Sequence, residues 1–306
     1  MTAIKYAPII LFVYNRVYHT KETIKSILGN KESANTDLYV YADGAKRVED
    51  EVSVEQVRSL FQGLKGFKSV TLVQREKNLG LAQNIIAGVT EVVAKHDRAI
   101  VLEDDLVLSP YFLKFMNENL ERYQDNHTVG SIHGYLIPTK IKLPEAFFLR
   151  GSDCWGWATW KRAWDLFEKD GQKLLTQLKD LKLEHAFDMG GVAGNLDMLK
   201  AQVLAKNNSW AIRWHASLFI ANKLTLNPGR SLVNNIGTDN SGEHCITTDV
   251  YSTAVADQPI TFAASIPVTE CSLAIKAYQD FYKRLNPPIF TRLLRKTKRI
   301  FDSILQ

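Results

Sequence analysis

Pro8 to Arg16 reads PIILFVYNR, and the fold turns on how this stretch is read. Ile9 to Tyr14 is an unbroken apolar run without polar alternation, the pattern of a strand buried on both faces of a parallel sheet, and Asn15-Arg16 closes it. Outward from it, Ile24, Ile27 and Leu28 fall at helical spacing within His19 to Leu28. Leu38 to Ala42 (LYVYA) is a second strand ending in Asp43-Gly44, and Val54, Val57, Leu60, Phe61 and Leu64 mark a second helix. Val70 to Val73 is a third strand. Leu81, Ile85, Ile86, Val89, Val92 and Val93 form a third helix face, and Ala99 to Leu102 is a fourth strand. Strands alternating with helices of this length predict βαβ units: an α/β fold with a Rossmann-like, mostly parallel central sheet and helices on both faces.

After Glu103-Asp104-Asp105 the rhythm changes. Ser109-Pro110 predicts a helix start, Ser as N-cap and Pro at the first helical position, running to about Gln124. Val129 to Phe148 reads as short strand-like pieces broken by Gly134, Pro138 and Pro144. The aromatic cluster Trp155 to Trp164, a helical stretch to about Asn207 and a Gly/Asn/Ser-rich loop from Asn234 to His244 come next. These shifts divide residues 1–270 near residue 150 into a nucleotide-type half and a second half, with 271–306 as a basic amphipathic helical tail.

Of the 306 residues, 45% are hydrophobic and 23% charged, which excludes a disordered or fibrous chain. The formal net charge of +5 is not spread evenly: residues 276–306 carry +6, and residues 1–275 carry −1. A nucleic-acid partner is therefore not needed to explain the charge. Three cysteines without a close pair argue against a disulfide framework or a cysteine-based zinc site and fit a reducing, cytoplasmic compartment. The run Pro8 to Tyr14 is too short to span a membrane. On a helical wheel, Ile289, Phe290, Leu293, Leu294, Ile300, Phe301, Ile304 and Leu305 fall in one half, opposite Arg292, Arg295, Lys296, Lys298 and Arg299. That pattern suits an interfacial helix on an anionic membrane surface, here the inner face of the plasma membrane; the alternative is a helix packed on its own body or on a second copy.

Ligands of open α/β sheets bind beyond the carboxyl ends of the strands. Four strand ends carry polar groups: Asn15-Arg16, Asp43-Gly44, Arg75 through Asn78 to Gly80, and Glu103-Asp104-Asp105. Three adjacent carboxylates repel one another and persist where water or a hard cation neutralises them. Extended alternation would put Glu103 and Asp105 on one side and Asp104 on the other. Capping of the next helix is the competing explanation, but Ser109-Pro110 already supplies that cap. No Gly-rich phosphate loop follows the first strand, so Arg16 and Arg75, with a divalent ion, are the candidates for holding a diphosphate. Asp43 suits the imide N–H of uracil or thymine, or else a turn before Gly44. Trp160 and Trp164, four apart, fit one helix face in a core. Trp155 and Trp157 flank Gly156, where a flat apolar platform for a sugar ring competes with core packing. His244 is structural unless its loop reaches the acidic triplet.

Together these residues resemble the metal-dependent GT-A glycosyltransferases, specifically family-2-like bacterial sugar transferases, and more distantly the N-acetylglucosaminyltransferases with a Glu-Asp-Asp motif. The carriers, over about residues 7–250, are PIILFVYNR (8–16), YADG (41–44), REKNLGLAQN (75–84), VLEDDLVLSPYF (101–112), CWGWATWKRAW (154–164) and SWAIRW through NIGTDNSGEHC (209–245). The resemblance implies an inverting transfer from a UDP- or dTDP-sugar to a glycan or polyprenyl-linked acceptor in surface polysaccharide synthesis. It assigns Arg16 to the phosphates, Asp43 to the base, Glu103 and Asp104 to donor sugar and ribose, and Asp105 with His244 to Mn2+ or Mg2+. The related enzymes often carry Trp-Asp-x-x-Trp, with the Asp as catalytic base. This chain reads Trp210-Ala211-Ile212-Arg213-Trp214, which leaves Asp197, Asp153 and His215 as candidates. Two alternatives are a sugar-nucleotide nucleotidyltransferase, which would need a Gly-rich loop after the first strand, and a non-catalytic carbohydrate-binding protein, which would not need Glu103 to Asp105.

Overall fold

The computed structural model describes residues 6–239, 248–263 and 265–285. In chain order the elements are β1 (Ile9–Val13), α1 (Val17–Leu28), β2 (Asp37–Ala42), α2 (Glu51–Ser59), β3 (Ser69–Gln74), α3 (Leu81–His96), β4 (Arg98–Glu103), β5 (Leu106–Leu108) and α4 (Phe112–Arg122). The second half contains β6 (Val129–His133), β7 (Ala146–Arg150), β8 (Trp157–Trp160), α5 (Lys161–Trp164), α6 (Gly171–Asp180), α7 (Glu184–Phe187), α8 (Asn195–Val203), α9 (Trp210–Ile220), β9 (Leu224–Pro228), β10 (Val233–Asn235) and α10 (Ser272–Leu285).

Eight strands form one sheet in the order β3-β2-β1-β4-β8-β6-β9-β7. The β3-β2-β1-β4 block is parallel throughout, β8 runs antiparallel between β4 and β6, and β6 pairs parallel with β9. This is the α/β architecture expected of the sequence. All five β1 residues are buried, and alternation divides them between two cores. Ile9, Leu11 and Val13 join the core that includes residues of α1, α2 and α4. Ile10 and Phe12 join Ile85, Val89 and Val92 of α3 and Trp210 and Trp214 of α9. Each fully buried apolar side chain of this kind stabilises by roughly 1.5–3 kcal/mol, which is why β1 tolerates no polar position.

Three expectations change. Ser109-Pro110 opens a turn that leads into the helix two residues later than expected: α4 begins at Phe112, Ser109 Oγ accepts the Tyr111 N–H at 3.2 Å and donates to the Ala256 carbonyl at 2.5 Å, and the Ser109 carbonyl accepts from Phe112 at 3.1 Å. Trp160 and Trp164 do not share a helix face, because Trp160 ends β8 and packs in the first core while Trp164 packs in the second. Nor do residues 271–285, the described part of the expected tail, stand apart from the body. Cys271 N–H bonds to the Phe148 carbonyl at 2.9 Å, and α10 buries Ala274, Ala277, Tyr278 and Phe281 against the body. The proposed interfacial stretch 289–306 and His244 lie outside the described residues. Among the described residues no helix is long and apolar enough to cross a membrane.

Candidate active site

Because β1, β2, β3 and β4 are parallel, their carboxyl ends share one edge of the sheet and carry Arg16, Asp43, Arg75 and Glu103 to Asp105 there. The chain leaves β4 in a tight turn at Asp104-Asp105 before β5. That turn overrides the alternation of an extended chain, so Asp104 and Asp105 both face Arg16. Arg16 Nη2 bonds to Asp104 Oδ1 and, at 2.8 Å, to Asp105 Oδ2. The guanidinium is only 16% exposed and the two carboxylates less so. Burial pulls the Arg16 pKa down, but the two adjoining carboxylates more than offset this and hold it above its ordinary value. Burial raises Asp104 in spite of the pull of Arg16. Half-buried Glu103 is raised by burial and then by Asp105 and Asp104.

A second segment closes this corner from 130 residues downstream. β10 pairs antiparallel with β5, and beyond it Ile236 N–H bonds to the Asp105 carbonyl at 2.8 Å. Gly237 then lies so close that a Cβ there would overlap Asp105 Oδ2 and come within 2.9 Å of Arg16 Nη1. His19 Nε2 and Asp239 Oδ2 are 3.1 Å apart at the same mouth.

Several strand-end candidates turn out to build the edge. Asp43 is buried, and its Oδ1 accepts the N–H groups of Gly44 (2.9 Å) and Leu79 (2.8 Å) while Oδ2 accepts that of Gly80 (2.9 Å). It thereby clamps the end of β2 to the start of α3. Asn78 Nδ2 bonds to the Gly44 carbonyl at 2.8 Å. Asn15 Nδ2 and Tyr14 Oη both reach Asp50, each at 3.0 Å, which fixes the loop after β2. Arg75 Nε bonds to Asn84 Oδ1 at 3.2 Å, with its guanidinium 5.2 Å from the Tyr41 ring centroid.

The aromatic and carboxylate candidates of the second half separate clearly. Trp157 is 1% exposed and lies 5.6–5.8 Å from the rings of Trp164, Trp210 and Trp214, so it is core and not a sugar platform. Trp155 is half-buried, edge-on to Tyr135 and Tyr251. Asp197 is 90% exposed in the first turn of α8, with Lys200 3.9 Å away, and does not line a cavity with the other candidates; burial pattern and position correct it to a solvated helix residue. Asp153 does line a cavity, of about 210 Å³, together with His215 and Ala211. Where the resemblance implies an aspartate this chain has Ala211, and the carboxylate that lines the same cavity, Asp153, comes from the loop between β7 and β8. Asp153 is 41% exposed, and His133 Nε2 is 3.9 Å from its Oδ2. Burial holds His133 and His215 below the ordinary histidine value, against the pull of Asp153. The Cys154 thiol is pushed well up by burial, and Asp153, Glu103 and Asp105 add to the shift.

Sequence reasoning missed Gly237, His133, Asn227, Tyr278 and Tyr282. Only the last two carried a signal, an aromatic pair four apart on one helix.

The carboxyl ends of the parallel strands, where open α/β sheets bind their ligands, thus gather an arginine and several carboxylates. Residues 9–181 match the family model of Glycosyl transferase family 2, and the chain belongs to that family. Among solved structures it is similar to the S. aureus TarS 1-349 crystal structure, at TM-score 0.35 and 12% identity, over 57% of this chain and 49% of that one. The chain thus spans about half the length of that neighbour. No curated protein matches it.

Proposed function

We propose that this glycosyltransferase moves a sugar from a UDP- or dTDP-sugar to a glycan or polyprenyl-linked acceptor in surface polysaccharide synthesis, with Mn2+ or Mg2+ bound at Asp105 and Asp104. The observation that carries this reading is the convergence of those two carboxylates on one cationic nitrogen, Arg16 Nη2, at the carboxyl edge of the sheet. Oxygens that converge on one positive point suit a hard divalent ion. Among the described residues no three His, Cys, Asp or Glu side chains form a cage for a metal, but ions of this kind commonly bind through one or two carboxylates plus substrate phosphates. The residues present therefore fit the ion, with Arg16 free to exchange its carboxylates for a donor phosphate. A cation bound there would supply charge neutralisation for the departing nucleoside diphosphate.

In the transfer itself, Asp153 takes the proton of the acceptor hydroxyl. That oxygen forms the new bond to the anomeric carbon, and the bond from this carbon to the phosphate oxygen breaks with its electron pair leaving on the nucleoside diphosphate. Asp43, clamped to three backbone N–H groups, keeps one acceptor position on Oδ2 for an imide N–H of the base. The basic and apolar wheel of residues 289–306 supports an acceptor presented at an anionic membrane surface.

Titration calorimetry with UDP, with and without Mn2+, tests the reading. Metal-dependent binding that disappears in Asp105→Ala is expected, and UDP binding indifferent to both would refute the metal assignment.

A further inference from the structure

We infer that His133 is a positioning residue for Asp153: its Nε2–H donates to the Asp153 carboxylate and orients it while that carboxylate takes the acceptor proton. The inference deepens the reading of Asp153 as the base and rests on it.

A buried group without a partner leads to it. His133 ends β6, lies opposite Trp157 of β8 and is 1% exposed. Neither of its ring nitrogens has a hydrogen-bond partner among the described residues. Buried polar atoms left in this state are rare, and each costs stability. A phenylalanine ring would fill the space without that cost, so packing alone does not account for an imidazole.

The carboxylate in front of the ring does account for it. His133 Nε2 lies 3.9 Å from Asp153 Oδ2. The ring is fixed on a strand and stands edge-on to Tyr135, the centroids 6.2 Å apart and the planes at 72°. Tyr135 is held in turn, its hydroxyl donating to the Tyr251 carbonyl at 2.7 Å. Asp153, by contrast, sits in the loop between β7 and β8 with its side chain 41% exposed. The histidine is therefore the rigid partner, and the carboxylate is the one that can swing.

Asp153 has one oxygen tied already, since Oδ1 accepts the Cys154 N–H at 2.7 Å. Oδ2 faces His133 across a gap longer than an N–H···O bond. A small swing of the aspartate closes it, and catalytic hydrogen bonds commonly tighten in this way once substrate is seated. With both oxygens held the carboxylate plane is set, and Oδ2 keeps a further lone pair for the acceptor proton. His133 keeps its own proton throughout, because burial favours the neutral ring, which has one N–H to give. The histidine on the other side of the loop is committed elsewhere: His215 Nδ1 lies 3.0 Å from the Ser152 backbone nitrogen and 2.6 Å from its carbonyl oxygen.

Long-range proton–nitrogen NMR on the full chain, labelled with 15N-histidine, reads which ring nitrogen bears the proton. Of the seven histidines, His133 is the one whose signals vanish in His133→Phe. A proton on Nε2 is expected, with a signal that shifts in Asp153→Ala and stays in place in Asp197→Ala. Nucleotide release from UDP-glucose, UDP-galactose, UDP-N-acetylglucosamine and dTDP-rhamnose in the presence of Mn2+ gives the second readout. His133→Phe should lower kcat about tenfold or more at unchanged KM, part of the roughly 100- to 10,000-fold that a positioned base supplies. His133→Gln, which keeps a donor near the place of Nε2, should retain most of the turnover, and His133→Phe should melt no lower than the native chain. A proton on Nδ1, a ring signal indifferent to Asp153→Ala, or native turnover in His133→Phe would each overturn the inference. Turnover lost in Asp153→Asn but kept in His133→Phe removes the role of His133 alone, whereas native turnover in Asp153→Asn removes the base reading on which it depends.

Discussion

Arg16 Nη2 stands 2.8 Å from Asp105 Oδ2 while also bonded to Asp104, so a single guanidinium holds together two carboxylates that would otherwise repel each other. Arg16→Ala should destabilise the protein by on the order of 3 kcal/mol, because it leaves two mostly buried anions without a partner. Urea unfolding checks this, and added Mn2+ should restore much of the loss. Indifference of the variant to Mn2+ would count against a cation at the same carboxylates.

Gly237→Ala places a methyl group against Asp105 and Arg16 with nowhere to go. Overpacking of this kind typically costs about 1–3 kcal/mol. UDP affinity is expected to fall more than global stability, and the comparison of calorimetric Kd with Tm reads the difference.

Asp43→Asn retains shape but turns an amide N–H2 toward backbone N–H groups that now point at a carboxylate. Leaving one of those donors without an acceptor costs about 1–3 kcal/mol. Hydrogen exchange should show it locally, as faster exchange at Leu79 or Gly80.

Trp157→Ala should cost about 3–5 kcal/mol by chemical denaturation, the penalty of emptying a core aromatic site. Trp155→Ala, at a half-buried position, should cost clearly less. Equal penalties would contradict the difference in burial between the two tryptophans.

His133 and His215 are both held below the ordinary histidine value by burial. In the unfolded chain they take up protons near pH 6.5, and the folded chain takes them up only at lower pH. The stability contributed by their neutral forms is therefore complete above about pH 6.5 and is lost as pH falls below it toward the folded values. Unfolding midpoints between pH 7.5 and 5.5 should drop less steeply in a His133→Asn, His215→Asn double variant than in the native chain.

Much of the sheet was legible because its signal is local. Ile9 to Val13 are buried on both faces, so every residue had to be apolar, and the strand-end positions of Arg16, Asp43 and Asp105 came from parallel order. The features that escaped were decided by distant segments. Trp157 next to Gly156 reads alike as platform or core until α9 arrives, more than 50 residues later, and covers it with Trp210 and Trp214. Asp104 faces the same way as Asp105 because the chain turns there, and the path beyond the turn is fixed by pairing of β5 with β10. Asp197 carried the right chemical group but was placed by an exposed helix face. The cavity that distinguishes Asp153 from Asp197 is completed by α9 and α10.

The pairing of β5 with β10 also bears on how the molecule is made. The acidic corner emerges from synthesis with Asp105, yet the residue that presses on it, Gly237, is translated much later. Until then, the first half of the sheet can assemble through local βαβ contacts while its acidic edge stays open. Contacts so distant in sequence close slowly. A nascent chain halted before β10 would thus carry a nearly complete sheet and an unfinished acidic corner, so the candidate site is closed only late in synthesis.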